Sequence, residues 1–258
     1  GIKFIEGKYE NGRKIGSWKF YFESGEKDMF GSFQNDLQQG HWQYWYPNGQ
    51  LYYEGDYLEG KKIGNWTFFY NDGNLWKKGY YTNDLKQNKW ITLYENGQNA
   101  FEGSFNNDLE TGDWFSWYEN GQVKDRGTYH NGLMTKIWEG WYPNGQIRYK
   151  GEYDDDMKIG LWKYWTAKGI LKDEGSYKID EIISSSTGIN KRSLKQSFKN
   201  GIWKSYSVLD KKLVSEGKYD KGEKDGIWRY YFPGGLITNK EISYNKGKLN
   251  GPSKEYNR

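Results

Sequence analysis

The sequence predicts an all-β chain: an elongated, single-domain array of antiparallel β-hairpins, a solenoid-like twisted meander sheet. Three observations carry that expectation. Trp18, Trp42, Trp66, Trp90, Trp114, Trp138 and Trp162 recur every 24 residues, and Trp203 and Trp228 continue the series at intervals of 41 and 25. Turn dipeptides such as Asn48-Gly49, Asp72-Gly73, Asn96-Gly97 and Asn120-Gly121 recur with the same period, and Asn-Gly or Asp-Gly between β-rich runs is a strong hairpin signal. The 14 Trp, 24 Tyr and 12 Phe of the 258 residues outnumber Leu, Ile and Val, which total 15, 17 and 3. Strands whose apolar contacts are made by aromatic rings need no thick aliphatic core, and a repeat array buries them against its neighbours.

Counted from two residues before its Trp, a unit opens on Gly16, Gly40, Gly64, Gly112, Gly160, Gly201 or Gly226, with Asn88 and Lys136 in the two remaining units. Five residues in stands a second aromatic column, Tyr21, Trp45, Phe69, Trp117, Trp141, Trp165, Tyr206 and Tyr231, broken by Leu93. Phe22, Tyr46, Tyr70, Tyr94, Tyr118, Tyr142 and Phe232 follow directly, before a first turn expected to be type I′ with both central residues at positive φ. The returning run carries Leu51, Leu75, Val123, Ile147, Leu171 and Ile237 and then a glycine column from Gly31 to Gly217. Two residues past each glycine is a Tyr or Phe, and a second turn, such as Asn35-Asp36 or Glu59-Gly60, leads to the next unit.

Side-chain alternation places the Trp and the ring six residues in on one face, and the ring five residues in on the other. Leu or Ile, Gly and Tyr share a face of the returning strand. A cross-strand Trp is expected to lie on the bare glycine backbone, as in aromatic rescue.

Trp42 to Tyr46, Pro47-Asn48-Gly49-Gln50-Leu51, Glu54-Gly55-Asp56-Tyr57 and Gly60-Lys61-Lys62-Ile63-Gly64-Asn65-Trp66 resemble the MORN repeats, in particular the bacterial 24-residue variant often called the YwqK type. The resemblance covers residues of about 7–177 and 201–256. It implies an elongated hairpin array. Roles attached to such arrays include membrane-associated scaffolding, dimerisation and, for the bacterial variant, an antitoxin or immunity role. On this pattern residues 1–15 form an N-terminal half-unit, 16–177 units one to seven, 178–200 an insertion, 201–250 units eight and nine, and 251–258 a partial unit. The insertion is expected to be a surface loop or an extended hairpin. The stretches from Lys3 to Tyr9 and from Ser253 to Tyr256 are expected to be exposed edges.

The composition also excludes chemistry. With no Cys there is no disulfide, cysteine zinc site or thiol nucleophile, and two His cannot build a three-histidine metal site. Glu54, Glu102, Glu174 and Glu216 share a column with Lys78, Arg126, Lys150 and Lys240, which reads as a solvated position or a cross-strand ion-pair ladder rather than an acid/base pair. Asp154-Asp155-Asp156 occupies a turn and lacks the alternating ligands of a calcium loop. No catalytic, cofactor-binding or metal residue is expected, and no cofactor. His41 and His130 read as surface residues.

A net charge of +4 with mixed-sign columns offers no stripe for nucleic acid. Lys61-Lys62 and Lys211-Lys212 are too sparse for a membrane surface. No apolar run approaches the roughly 20 residues of a membrane span, so a soluble chain is expected, cytoplasmic or exported. The expected function is a non-catalytic protein-binding scaffold, with an antitoxin or immunity-type role as its finer form. The alternative is a carbohydrate- or choline-binding aromatic module, to be decided by whether the Trp rings are exposed in pairs or buried.

Partner contacts are expected where the repeat breaks: at the small residues Thr92, Ser116 and Gly140, four residues into the central units, and at Ser184, Lys191 and Arg192 in the insertion.

Overall fold

The computed structural model describes residues 4–183 and 193–258. They form antiparallel strands joined by tight turns, with no helix among them. Two compact units divide the chain at Gln122 and Val123. The first holds β1 (Ile5–Glu10), β2 (Arg13–Tyr21), β3 (Lys27–Gln34), β4 (Leu37–Trp45) and β5 (Leu51–Leu58). It continues through β6 (Lys61–Phe69), β7 (Leu75–Thr82), β8 (Leu85–Leu93), β9 (Asn99–Asn106) and β10 (Leu109–Trp117). The second holds β11 (Val123–His130), β12 (Leu133–Trp141), β13 (Ile147–Asp154), β14 (Met157–Trp165) and β15 (Leu171–Ile183). Its remaining strands are β16 (Ser193–Tyr206), β17 (Leu213–Asp220), β18 (Glu223–Tyr231), β19 (Thr238–Asn245) and β20 (Lys248–Glu255). Within each unit every strand pairs antiparallel with its sequence neighbours, as a meander.

The two turn families differ, and this corrects the expected turn type. In Tyr46-Pro47-Asn48-Gly49 the Gly49 amide donates to the Tyr46 carbonyl, and Gly49 alone is left-handed, at φ 84°. That is a type I turn closed by a glycine bulge. Pro47 and Pro143 occupy its first central position and hold φ near −65°, which a type I′ turn forbids. The type I′ geometry belongs to the second family, where Asn35 and Asp36 sit at φ 51° and 67° and Asn107 and Asp108 at 49° and 65°.

Between Phe30↔Gln43 and Ser32↔Gln39, Gly31 alone faces Gly40, His41 and Trp42, a bulge that recurs at the unit openings. Gly40 adopts φ 66° there, and Asn88 and Lys136 occupy the same left-handed conformation at 58° and 61°. The bulge drops Trp42 onto Gly31, where a Cβ would stand 2.1 Å from the ring; Gly55 carries Trp66, Gly127 Trp138, Gly151 Trp162 and Gly217 Trp228 in the same way. Each repeating Trp thus rests on the glycine of the preceding strand. It also releases the Ser32 carbonyl, which accepts the Trp42 indole N–H at 3.1 Å. Tyr57 meets Trp42 and Trp66 edge-on at 6.1 and 5.1 Å, and the equivalent rings continue the alternation through both units. The core is therefore one ring thick: Trp18, Trp42, Trp66, Trp90, Trp138, Trp162, Trp203 and Trp228 are all below 8% exposed.

Side-chain alternation fails in two places. The strand ends at Trp45, so the ring sharing the Trp42 face is Tyr44, stacked at 5.9 Å, while Tyr46 lies in the turn. Tyr46 instead donates its hydroxyl to the Phe69 carbonyl of the next hairpin, as Tyr70 does to Leu93, Tyr94 to Trp117 and Tyr142 to Trp165. A second bulge at Tyr52 pairs Leu51 with Trp45, which moves the Leu column off the glycine face.

The described part of the insertion lengthens β15 and β16, whose pairing runs from Asp173↔Ser205 to Ile183↔Ser193. The insertion is an extended hairpin over its described residues.

Candidate interaction surface

One face of each unit is consumed by packing. Over the Trp rings lie Lys14, Lys62, Lys86, Lys158, Lys199 and Lys224, each with its ammonium 4.1–5.3 Å from an indole centroid. Their stems cover the ring and their charge meets its negative face. Burial holds the Lys158 and Lys199 ammonium groups below the usual lysine range.

The opposite face carries a row of paired side chains. In the second unit it reads Arg126, Glu139, Lys150, Lys163, Glu174, Lys204, Glu216, Arg229, Glu241 and Lys254, one residue per strand and nearly alternating in sign. Glu139 bridges Arg126 at 2.6 Å and Lys150 at 2.8 Å, Lys163 meets Glu174 at 3.2 Å, and Arg229 meets Glu241 at 3.0 Å. Although burial opposes it, hydrogen bonds from Lys150 and Arg126 keep the Glu139 carboxyl below its ordinary range. The Glu174 carboxyl is held down chiefly by the Tyr206 hydroxyl, at 2.6 Å. Lys240 does not belong to this column. The longer turn at Gly234-Gly235 shifts the register, so Glu241 pairs with Arg229 while Lys240 pairs with Tyr230.

Beside this row runs the position just before each Trp. It reads Ser17, His41, Asn65, Lys89 and Asp113 in the first unit, and Ile137, Leu161, Ile202 and Ile227 in the second. The four aliphatics are 48%, 54%, 57% and 50% exposed, one on every second strand. Leu161, Ile202 and Ile227 line one depression together with Glu174, Lys204, Glu216 and Arg229. The column is visible in the sequence when the units are aligned on their Trp, and it is distinct from the small residues four positions in.

The sequence-derived candidates are placed as follows. Thr92 faces Lys77 on one side and Phe101 on the other, and Ser116 faces Phe101, which is 47% exposed. Lys77 lies over the Phe68 and Trp76 rings at 4.6 and 4.0 Å. At Gly140 the vacant side-chain space is filled by Tyr149, whose hydroxyl donates to Asp125 at 2.8 Å while Arg148 pairs with the same carboxylate at 2.9 Å. Ser184, Lys191 and Arg192 lie outside the described residues.

His41 is exposed between Asp56 and Glu54, at 3.0 and 3.3 Å. Asp156 accepts the Met134 amide at 2.7 Å, so the acidic triplet serves a turn; no group of three metal-ligating side chains occurs among the described residues.

Four stretches, residues 38–59, 62–83, 110–131 and 134–155, match the family described as MORN repeat variant. No curated protein matches significantly. Among solved structures the chain is similar to the crystal structure of TcdB2-TccC3-Cdc42, at 11% identity and a TM-score of 0.21, over 90% of this chain and 14% of that one. Among the described residues no helix is long and apolar enough to cross a membrane.

Proposed function

We propose that the protein is a non-catalytic binding array that recognises a protein partner, with an antitoxin or immunity-type role as the specific form the repeat resemblance suggests. One observation carries the reading: the residues that build a unit recur, whereas the outward position beside each Trp changes from Ser17 and Asn65 to Leu161 and Ile202. A constant scaffold displaying varied side chains on a broad face suits a macromolecular ligand better than a small one. The carboxylates of that face are engaged by neighbouring cations and tyrosines, which favours a structural ladder over acid/base chemistry. The repeating Trp rings rest on glycine and eight of the nine are buried, so this column lends no support to sugar stacking or choline caging.

The test is capture by the full chain from an extract of its source, in parallel with a panel of soluble glycans and a choline resin. A protein complex of fixed stoichiometry that survives gel filtration supports the proposal. Retention of glycan or choline without a protein ligand favours the carbohydrate alternative. The immunity-type form requires that the captured protein be toxic alone and harmless when co-expressed. A substrate turned over by the folded protein, and lost on a single Asp→Asn or Glu→Gln change, would return the enzyme reading.

A further inference from the structure

The geometry points to an amphipathic α-helix of the partner protein as the ligand of the second unit, seated across the strands on Leu161, Ile202 and Ile227; this rests on the protein-binding reading above. The three side chains stand on β14, β16 and β18, two strands apart. At about 4.8 Å per strand their spacing is roughly 9.6 Å. Seven residues of α-helix rise about 10.5 Å, so apolar side chains at i, i+7 and i+14 fall close to one per hairpin. An extended peptide in the same direction presents a side chain to this face about every 6.7 Å and loses register after one step.

The neighbouring charge row agrees. Its sign changes from Glu174 to Lys204, Glu216 and Arg229, one strand at a time, or about every 4.8 Å. One helical turn advances about 5.4 Å, so a helix flank with alternating acid and base at i, i+4 can match that row. Glu174 is already paired with Lys163, Arg229 with Glu241, and Glu216 accepts the Tyr231 hydroxyl, so an apolar stripe laid beside the row meets groups that keep their own partners.

Area separates a helix from a second copy of the chain. The three half-exposed aliphatics together present on the order of 300 Å², well under the ~800 Å² per partner of a standard protein interface, which suits the narrow apolar stripe of one helix better than a second chain. Strand twist turns the face along the unit, so a straight helix contacts two or three hairpins, matching the depression these residues line. The first unit has Asn65, Lys89 and Asp113 at the same positions and offers no such seat.

The experiment selects a display library of random peptides, about 24 residues long to allow three heptads, on the full chain. Enriched peptides are then synthesised and measured against variants by fluorescence anisotropy and circular dichroism. Expected are apolar residues at i, i+7 and i+14, a gain of helix on binding, and a loss of about tenfold or more in affinity for Leu161→Thr with Ile202→Thr. Threonine keeps the strand propensity of these sites, and the thermal melt of the double variant checks the fold. Asn65→Thr should leave affinity unchanged.

Peptides of alternating pattern, peptides whose affinity ignores the double variant, or no enrichment at all would each overturn the helix seat. So would sedimentation showing a dimer that the double variant dissolves. If binding instead maps to the first unit, the helix seat falls while the protein-binding reading stands.

Discussion

At Gly127 and Gly151 a Cβ would lie 2.1 Å from the atoms of Trp138 and Trp162, whose rings are pinned edge-on by Tyr129 and Tyr153. Gly127→Val or Gly151→Val is therefore expected to cost about 3 kcal/mol or to prevent folding, since the ring cannot move without breaking its other contacts. Glu102→Gln removes only a pairing with Lys89, whose own side chain is exposed, and should cost no more than about 1 kcal/mol. Chemical denaturation of the three variants checks both values. The left-handed bulge gives the opposite sign of effect. Lys136 holds φ 61° where most units have Gly, so Lys136→Gly is expected to stabilise by about 0.5–1 kcal/mol and Gly160→Ala to destabilise by a similar amount. The glycine seat itself was legible from spacing, because Gly and Trp recur together. Its direction was not: Trp18 pairs with Gly31 in the ladder, yet Gly31 carries the ring of Trp42, and only the bulge decides between them.

Among the elements, the hairpin turns show how far dipeptide signals reach. Asn48-Gly49 marked a turn correctly, but its type depended on Pro47 and on the three-residue loop length, which Asn-Gly alone does not encode. The tyrosine after the second aromatic acts between hairpins, through a hydroxyl that reaches a carbonyl 23 residues ahead. Tyr94→Phe should lose about 1 kcal/mol, and Tyr94→Phe with Tyr142→Phe about twice that, because the two bonds lie in different units. A lowered melting temperature with an unchanged far-ultraviolet spectrum is the expected record. The extension of β15 and β16 keeps the repeat register at Gly175↔Trp203, so replacing residues 180–196 by Asn-Gly should leave the fold and shift the melt by only a few degrees. The extended hairpin was one of the readings open from sequence. The aliphatic column of Ile137, Leu161, Ile202 and Ile227 was open to inspection too, but exposure is a property of the fold, and no single residue in a β-rich run announces that it faces water.

At the scale of the molecule, phenol groups tie stability to alkaline pH. Burial first, then the neighbouring Tyr44 and Tyr52, pushes the Tyr53 hydroxyl up to about 12, and burial with the Glu216 hydrogen bond does the same for Tyr231. A raised folded pKa gives stability that is intact below the ordinary tyrosine value near 10 and is lost as pH climbs from there toward 12. The protein should therefore unfold in that window, with phenolate absorbance and loss of β-sheet signal rising together. Phenolate formation that is complete near pH 10 without unfolding would contradict it. Because each repeating Trp borrows its seat from the strand before it, the joint between hairpins recurs, and a 24-residue cut between Gly16 and Trp162 begins and ends on equivalent chemistry. Unequal recombination between such segments adds or deletes a whole hairpin without exposing a new seam, whereas an offset of one residue would turn the seated ring outward. The gene can thus change the length of its product in whole steps, and each added step brings one more outward-facing residue free to vary.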